Sequence, residues 1–321
     1  MVPSIAADKG SLAGGLEAIN LSLEEVMSNQ LTHWLEEKKY LISDGATGTN
    51  LIARGLPRGK TAEEWVLENP EGILTLHCDF INAGSNIILT STFGGSEIRL
   101  NRSGLGEKHK EINSAAVDLA KKAVDGRQIL VAGSMGPLGE MLQPYGTLDA
   151  ETARKNYMQQ AAELTTSGVD LLLIETQFDI AEATLAVEAA KSVSDLPVIC
   201  SFSFDRGTKT MMGVSPTKFA EAIAPLGAAA LGINCGKSLE DNLNALKELS
   251  SVTELPIWFK PNAGLPKMDD HGHAVYDVAP EQMAAHLSSW IENGARIIGG
   301  CCGTSPEHLR ALHLVLESYK A

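Results

Sequence analysis

The sequence predicts an α/β fold, a single-domain (β/α)8 TIM barrel with an N-terminal helical extension. Three observations predict it. Eight short stretches are apolar throughout rather than alternating, the mark of parallel strands covered on both faces. Between them lie segments with apolar residues at helix period, such as Ile73, Leu76, Phe80 and Ile81. Several helices also end alike, in Ala83-Gly84-Ser85, Ser167-Gly168-Val169, Leu226-Gly227-Ala228 and Asn293-Gly294-Ala295. Each glycine is placed to close a helix in the left-handed conformation just before a strand. Eight such units over about 280 residues match the usual size of this barrel. A doubly wound sheet is the runner-up and would carry a nucleotide fingerprint. No G-x-G-x-x-G follows the first strand, and GINCGKS at 232–238 is one residue short of a P-loop between its glycines.

Taken in order, residues 1–39 form the extension and residues 40–321 the barrel. Residues 1–20 are small and polar, with Gly10, Gly14 and Gly15. Ser22-Leu23-Glu24-Glu25 is a capping box. It opens an amphipathic helix through Val26, Met27, Leu31, Trp34 and Leu35, whose apolar face can cover an end of the barrel or join two copies into a homo-oligomer. Strands are expected at 40–44, 86–91, 128–133, 169–175, 197–203, 229–234, 256–261 and 295–300. The eight histidines form no metal-ligand pair and are expected mostly at the surface; Trp65, Trp258 and Trp290 are expected to pack.

Composition excludes several classes. At 44% hydrophobic and 21% charged, the 321 residues can fill a soluble core. A formal net charge of −14 argues against nucleic acid and anionic membrane as partners, since both need basic footprints. Five irregularly spaced cysteines do not make a disulfide framework. No run approaches the ~18 apolar residues of a membrane span, and no signal peptide is evident. A cytoplasmic protein is the expectation.

In such a barrel the chemistry gathers at the C-terminal ends of the strands. There the chain places Asp44-Gly45, Thr90-Ser91-Thr92-Phe93, Ser134, Glu175-Thr176, Asn234-Cys235, Lys260-Pro261 and Cys301-Cys302. Two adjacent thiols at a strand mouth, with a third at the end of another strand, suit one Zn2+ held by three protein ligands and open at the fourth position. Three thiolates overcompensate the charge of the ion, which makes it a poor Lewis acid for hydrolysis. It is suited instead to receiving a substrate thiol and presenting it as a thiolate to an electrophilic carbon. Asp44 and Glu175 can hold an ammonium, and glycine-loop amides with the helix beginning near Thr304 can hold a carboxylate. Cys78, on a helix face, and Cys200, within a strand, are expected to pack. Asp269-x-His271 resembles the start of a cobalamin-binding D-x-H-x-x-G, but Ala274 stands at its last position.

Several motifs together resemble the zinc-dependent homocysteine S-methyltransferases. They are Asp44-Gly45-Ala46-Thr47-Gly48-Thr49, Thr90-x-Thr92-Phe93, Glu175-Thr176, Gly232-x-Asn234-Cys235 and Gly299-Gly300-Cys301-Cys302-Gly303, over roughly residues 40–318. The resemblance implies a (β/α)8 barrel with Cys235, Cys301 and Cys302 as zinc ligands. It implies L-homocysteine as methyl acceptor, held by Asp44 and Glu175, with Gly45, Thr92, Phe93 and Asn234 also at the substrate. DGATGTNL at 44–51, Met211-Met212-Gly213-Val214 and Lys260-Pro261-Asn262-Ala263-Gly264 look most like the bacterial betaine–homocysteine branch, which implies a small, betaine-like onium donor. Animal enzymes of that branch enclose the onium in aromatic rings. Phe93 matches, while Gly94 and Thr176 stand where those enzymes carry tyrosines, and Trp65 is the tryptophan closest to the matching loop position at Thr61. Competing expectations are a stand-alone module that takes its methyl from a methyl-corrinoid protein or S-methylmethionine, and a zinc-thiol sensor or binding barrel without activity.

Overall fold

In the computed structural model, which describes residues 30–268 and 274–320, the eight expected strands form one parallel sheet that curls on itself. They are β1 (Leu41–Ile42), β2 (Ile87–Leu89), β3 (Leu130–Met135), β4 (Leu171–Gln177), β5 (Val198–Phe202), β6 (Ala230–Cys235), β7 (Ile257–Pro261) and β8 (Ala295–Ile298). Consecutive strands from β2 to β8 pair in parallel, and β8 pairs with β1. The seam between β1 and β2 is closed by a Ser43–Ile87 bridge. There Asn86 acts as a stitch: its N–H donates to Ile42 O at 2.6 Å, and its Oδ1 accepts from Ile42 N at 2.9 Å. The TIM barrel expected from the sequence is the fold observed.

The doubly apolar strands are explained by side-chain alternation. Leu41, Ile87, Leu89, Leu130, Leu171, Leu173, Ile199, Trp258 and Ile297 point inward and form one cluster. Their neighbours Ile42, Ile88, Val131, Leu172, Ile174, Leu231, Phe259 and Ile298 face the surrounding helices in another. Gly84, Gly168, Gly227 and Gly294 all take positive φ, between 77° and 106°, as the helix ends require.

The helix Gln30–Lys38 settles what the apolar face of the extension covers. Its buried residues Leu31, Trp34 and Leu35 belong to the inward cluster, so the helix plugs the N-terminal end of the barrel. Arg296, at the start of β8, fixes it by donating to Lys39 O at 2.7 Å and Leu35 O at 3.2 Å. The capping box at 22–25, Val26, Met27 and residues 1–20 lie outside the described residues, as do Asp269, His271 and His273.

Some expectations need correction. The loop after β7 carries a two-stranded antiparallel hairpin, Lys267–Met268 with Ala274–Val275, which the strand pattern did not signal. His77 and His308 are buried and His109 half-buried, exceptions to the expectation that most histidines lie at the surface. His77 sits on the core side of the helix Pro70–Asn82, and burial pushes it down to about 4. His308 is buried between Ser305 N, which donates to its Nδ1, and Val278 O, which faces its Nε2. His109 is half-buried, with its Nδ1 2.7 Å from Glu163. Trp65, Trp258 and Trp290 are core residues, and Cys200 is fully buried in β5. Among the described residues no helix is long and apolar enough to cross a membrane.

Candidate metal and substrate site

The inward register that is apolar at the bottom of the barrel turns polar at the top. It runs Leu130, Ala132, Ser134 on β3; Leu171, Leu173, Glu175 on β4; Ala230, Gly232, Asn234 on β6; and Trp258, Lys260 on β7. A cavity of about 520 Å³ opens above these positions. Its floor is formed by Ser134, Glu175, Cys235, Lys260, Cys301 and Cys302, and the loops after β1 and β2 add Thr61, Glu63, Phe93 and Arg99.

The three cysteines converge as expected. Cys235 ends β6, and Cys301 and Cys302 follow β8. Their sulfurs all lie within 4.8 Å of one another, with Cys235 Sγ 3.0 Å from Cys301 Sγ. Backbone geometry aims them. Cys235 and Gly236 take φ of 58° and 76°, and Asn242 holds this left-handed turn by donating to Cys235 O at 2.7 Å. Thr304 fastens the other turn, its Oγ1 donating to Cys301 O at 2.7 Å while accepting from Ala46 N at 3.1 Å. The hydroxyl of Thr304 is thus spent on the two loops and does not cap the helix Pro306–Lys320. Asn234 connects three strand ends. Its Oδ1 accepts from Ser201 Oγ and Thr176 N, and its Nδ2 donates to Thr176 Oγ1 and towards Cys235 Sγ at 3.4 Å. Thr176 is thereby held at φ 59°, a strained conformation for a β-branched residue of the kind that collects at functional sites.

Without a cation these thiols cannot all ionise. Hydrogen bonds from Cys235 and Cys301 hold Cys302 far below the usual thiol range, while hydrogen bonding to Cys301 and Cys302, and burial, push Cys235 well above it. Three thiolates this close repel one another, so ionisation of one opposes that of the others. A dication at the centre would favour the thiolate form of all three, and the all-sulfur donor set fits a thiophilic metal such as zinc. Among the described residues no histidine or carboxylate joins this cluster. The hydroxyl of Tyr276 hydrogen-bonds Cys302. The Tyr276 ring lies on Gly303, where a Cβ would come within 2.1 Å of it.

The charges beside the thiols are arranged unequally. Asp44 is 1% exposed, accepting from Lys260 Nζ at 2.6 Å on one oxygen and from Leu89 N at 2.8 Å on the other. It stands behind the cavity wall and not on it. Burial alone would lower Lys260, but Asp44 and Glu175 raise it above its ordinary value, so it remains an ammonium. Glu175 faces the cavity and accepts from Ser134 Oγ at 2.5 Å. Burial pushes it up to about 7, against the pull of Lys260. Lys260 and Asp44 neutralise each other, leaving Glu175 as the floor carboxylate without an ion-pair partner among the described residues.

Of the other expected site residues, Phe93 lines the cavity beneath Arg99, whose Cζ is 5.0 Å from the ring centroid. Gly45 also lines it, and a Cβ there would meet Phe80 at 2.7 Å and Leu309 at 2.9 Å. Thr92 is fully buried, donating to Ser134 O at 2.7 Å, so it supports the wall with Asn234. Glu63, Arg99 and Tyr276 carry no signal in the sequence, while Ser134 and Lys260 are placed at the barrel mouth by it but given no role. Lys260 had a signal: a lysine at an inward position of an apolar strand needs a buried partner.

A family model described as homocysteine S-methyltransferase matches residues 41–316. Among solved structures, the metallated form of the homocysteine methyltransferase MmuM from Escherichia coli is similar with a TM-score of 0.78 at 28% identity, covering 89% of this chain and 99% of that one. The carboxyl transferase domain of Rhizobium etli pyruvate carboxylase, at 12% identity and a TM-score of 0.53 over 93% of this chain and 51% of that one, shares the fold alone. Among curated proteins, a methionine synthase of Mycobacterium tuberculosis is 28% identical over 300 residues, covering 88% of this chain and 25% of the relative. One of Mycobacterium leprae is 28% identical over 290 residues, covering 85% and 24%. The chain thus spans about a quarter of the length of the curated relatives it matches.

Proposed function

The chain belongs to the homocysteine S-methyltransferase family, and we propose that it moves a methyl group from a small, betaine-like onium donor to the thiol of L-homocysteine, giving methionine. The observation that carries this reading is that three clustered thiols share one cavity with Glu175, a floor carboxylate without an ion-pair partner among the described residues. In this reading Cys235, Cys301 and Cys302 hold a zinc ion, which when bound keeps the substrate thiol ionised at neutral pH. Glu175, oriented by Ser134, receives the ammonium of homocysteine. The backbone amides in the first turn of the helix Thr47–Ala53, whose residues Thr47, Gly48 and Thr49 line the same cavity, receive its carboxylate. Asp44 acts through Lys260, and Asn234 and Thr92 are positioning residues. In the transfer, the homocysteine sulfur bonds to the methyl carbon as the carbon–heteroatom bond of the donor breaks. The electron pair leaves with the donor's nitrogen or sulfur, which becomes a neutral amine or sulfide. Residues 40–321 carry the reaction, residues 1–39 are accessory, and the cytoplasm keeps the three thiols reduced.

The test is to supply the zinc-loaded protein with L-homocysteine and, separately, glycine betaine, dimethylsulfoniopropionate, S-methylmethionine and methylcobalamin, and to measure methionine by mass spectrometry. Methionine is expected from the small onium donors. Methionine from methylcobalamin alone would replace the donor half of the reading, and none from any donor would sink it.

A pH dependence follows from Glu175. Its carboxyl is held at about 7 in the free protein, and only the carboxylate attracts an ammonium, so a bound amino acid pulls it down. Affinity should therefore rise as pH increases from 6 to 8, with a proton released on binding at the acid end. Methionine, which has no thiol proton to confuse the count, is the ligand to titrate by calorimetry. Glu175→Gln should bind it weakly and with no such slope; an equal slope in that variant would assign the proton to another group.

A further inference from the structure

We infer that the loop side of the cavity recognises a zwitterionic methyl donor, with Glu63 facing the onium and Arg99 the carboxylate. The inference rests on the methyl-transfer reading above and adds the donor's chemical class and the residues that read it. Glu63 is only 6% exposed, yet it lines the cavity. Its Oε1 accepts from Gly94 N at 2.6 Å, and among the described residues no salt bridge involves it. A buried carboxylate in a cavity wall without a cation is costly unless something charged visits it. Arg99 lines the same wall. Its guanidinium rests on Phe93 and spends Nη1 on Pro137 O at 3.0 Å, while among the described residues no hydrogen bond engages Nε or Nη2. The two charges approach without pairing, and Gly94 keeps the space between them open: a Cβ there would lie 3.1 Å from Glu63 Oε1 and 3.3 Å from Arg99 Nε. A molecule with a sulfonium or quaternary ammonium at one end and a carboxylate at the other matches this arrangement. Phe93, the single ring that lines the cavity among the described residues, is already covered by Arg99, so the onium has to be recognised chiefly by charge.

The two residues should leave different kinetic signatures. The onium loses its charge as the carbon–heteroatom bond breaks, so Glu63 binds the donor more strongly than it binds the transition state. Glu63→Gln, which can still accept from Gly94 N, should weaken onium donors in KM while leaving kcat unchanged or raised. The donor carboxylate keeps its charge throughout, so Arg99→Gln should raise KM with kcat unchanged, by roughly tenfold to a hundredfold for a lost charge-assisted contact. That increase should appear for glycine betaine or dimethylsulfoniopropionate and be absent for choline, which lacks the carboxylate. Neither variant should alter zinc content or the KM for homocysteine. Calorimetric titration of glycine betaine and choline into wild type and both variants supplies a reading that does not need turnover. Donor affinities unchanged in both variants, or choline binding as well as glycine betaine to wild type, would overturn the inference and leave the methyl-transfer reading standing. Loss of all methionine formation with zwitterion binding intact and sensitive to Arg99→Gln would instead remove the reaction and keep the subsite.

Discussion

Replacing Cys301 by alanine is expected to strip the protein of bound zinc and abolish methyl transfer while leaving the barrel folded. Cys301 Sγ is 3.0 Å from Cys235 Sγ and grouped with Cys302, so the substitution removes one of three anionic donors. Loss of a residue that merely supports a metal ligand costs about 10–100-fold in metal affinity or activity, and loss of a ligand itself should exceed that. The fold should survive because the backbone at this turn is fixed by other groups: Cys301 N donates to Pro261 O at 2.9 Å, and Thr304 holds Cys301 O from its amide and its hydroxyl. Metal content by plasma mass spectrometry should fall from about one zinc per chain, the stoichiometry of a single site, while circular dichroism is retained. Cys200→Ala is the matched control. That thiol is fully buried in β5, so its removal should lower the melting temperature through packing and leave the zinc in place. A Cys301→Ala protein with full zinc and full activity would end the three-thiolate assignment.

What the sequence made legible was whatever repeats or stands at a strand end. The barrel could be read because its strands are apolar on both faces, and the caps at Gly84, Gly168, Gly227 and Gly294 because glycine alone takes positive φ freely. The three cysteines could be read because thiols at two strand mouths have few other uses. The Asp44–Lys260 pair could not. It joins residues 216 positions apart, and meeting across the barrel depends on the closed register of β7, β8 and β1, which no local pattern encodes. The helix Gln30–Lys38 was legible as amphipathic, but its partner was not, because an apolar stripe does not say what covers it. Glu63 and Arg99 lie on the loops after β1 and β2 (at the start of Ala62–Glu68 and within Glu97–Asn101), where conformation follows individual contacts rather than a period. His77 is an exception to the general expectation of surface histidines for a related reason: its position on the face of Ile73, Leu76 and Phe80, and not its polarity, places it in the core.

Asp44→Asn and Glu175→Gln look like equivalent losses of one site carboxylate, yet they are expected to fail in different ways. Asp44 is the direct partner of Lys260, and the two are 1% and 2% exposed. Removing one member of a buried ion pair typically costs about 3–5 kcal/mol, because the other charge is left uncompensated. The lower end of that range is expected here, since Glu175 also attracts Lys260. Asp44→Asn should therefore melt several degrees below wild type, and adding Lys260→Met, which removes the stranded ammonium, should recover much of the loss. Glu175 behaves oppositely. Burial raises its carboxyl to about 7, above its value in the unfolded chain. Its contribution to stability is therefore fully present below about pH 4 and is lost as pH rises through 7. Glu175→Gln, which keeps an oxygen for Ser134 Oγ, should melt no lower than wild type at pH 8 and show a flatter pH dependence between 5 and 7. Its defect should lie in homocysteine binding, weakened roughly tenfold to a hundredfold by the loss of a charge-assisted contact, with zinc content unchanged. Thermal melts across pH and steady-state titration of homocysteine separate the two. An Asp44→Asn protein as stable as wild type would mean that Lys260 does not depend on Asp44. A Glu175→Gln protein with unaltered homocysteine affinity would remove Glu175 from the ammonium.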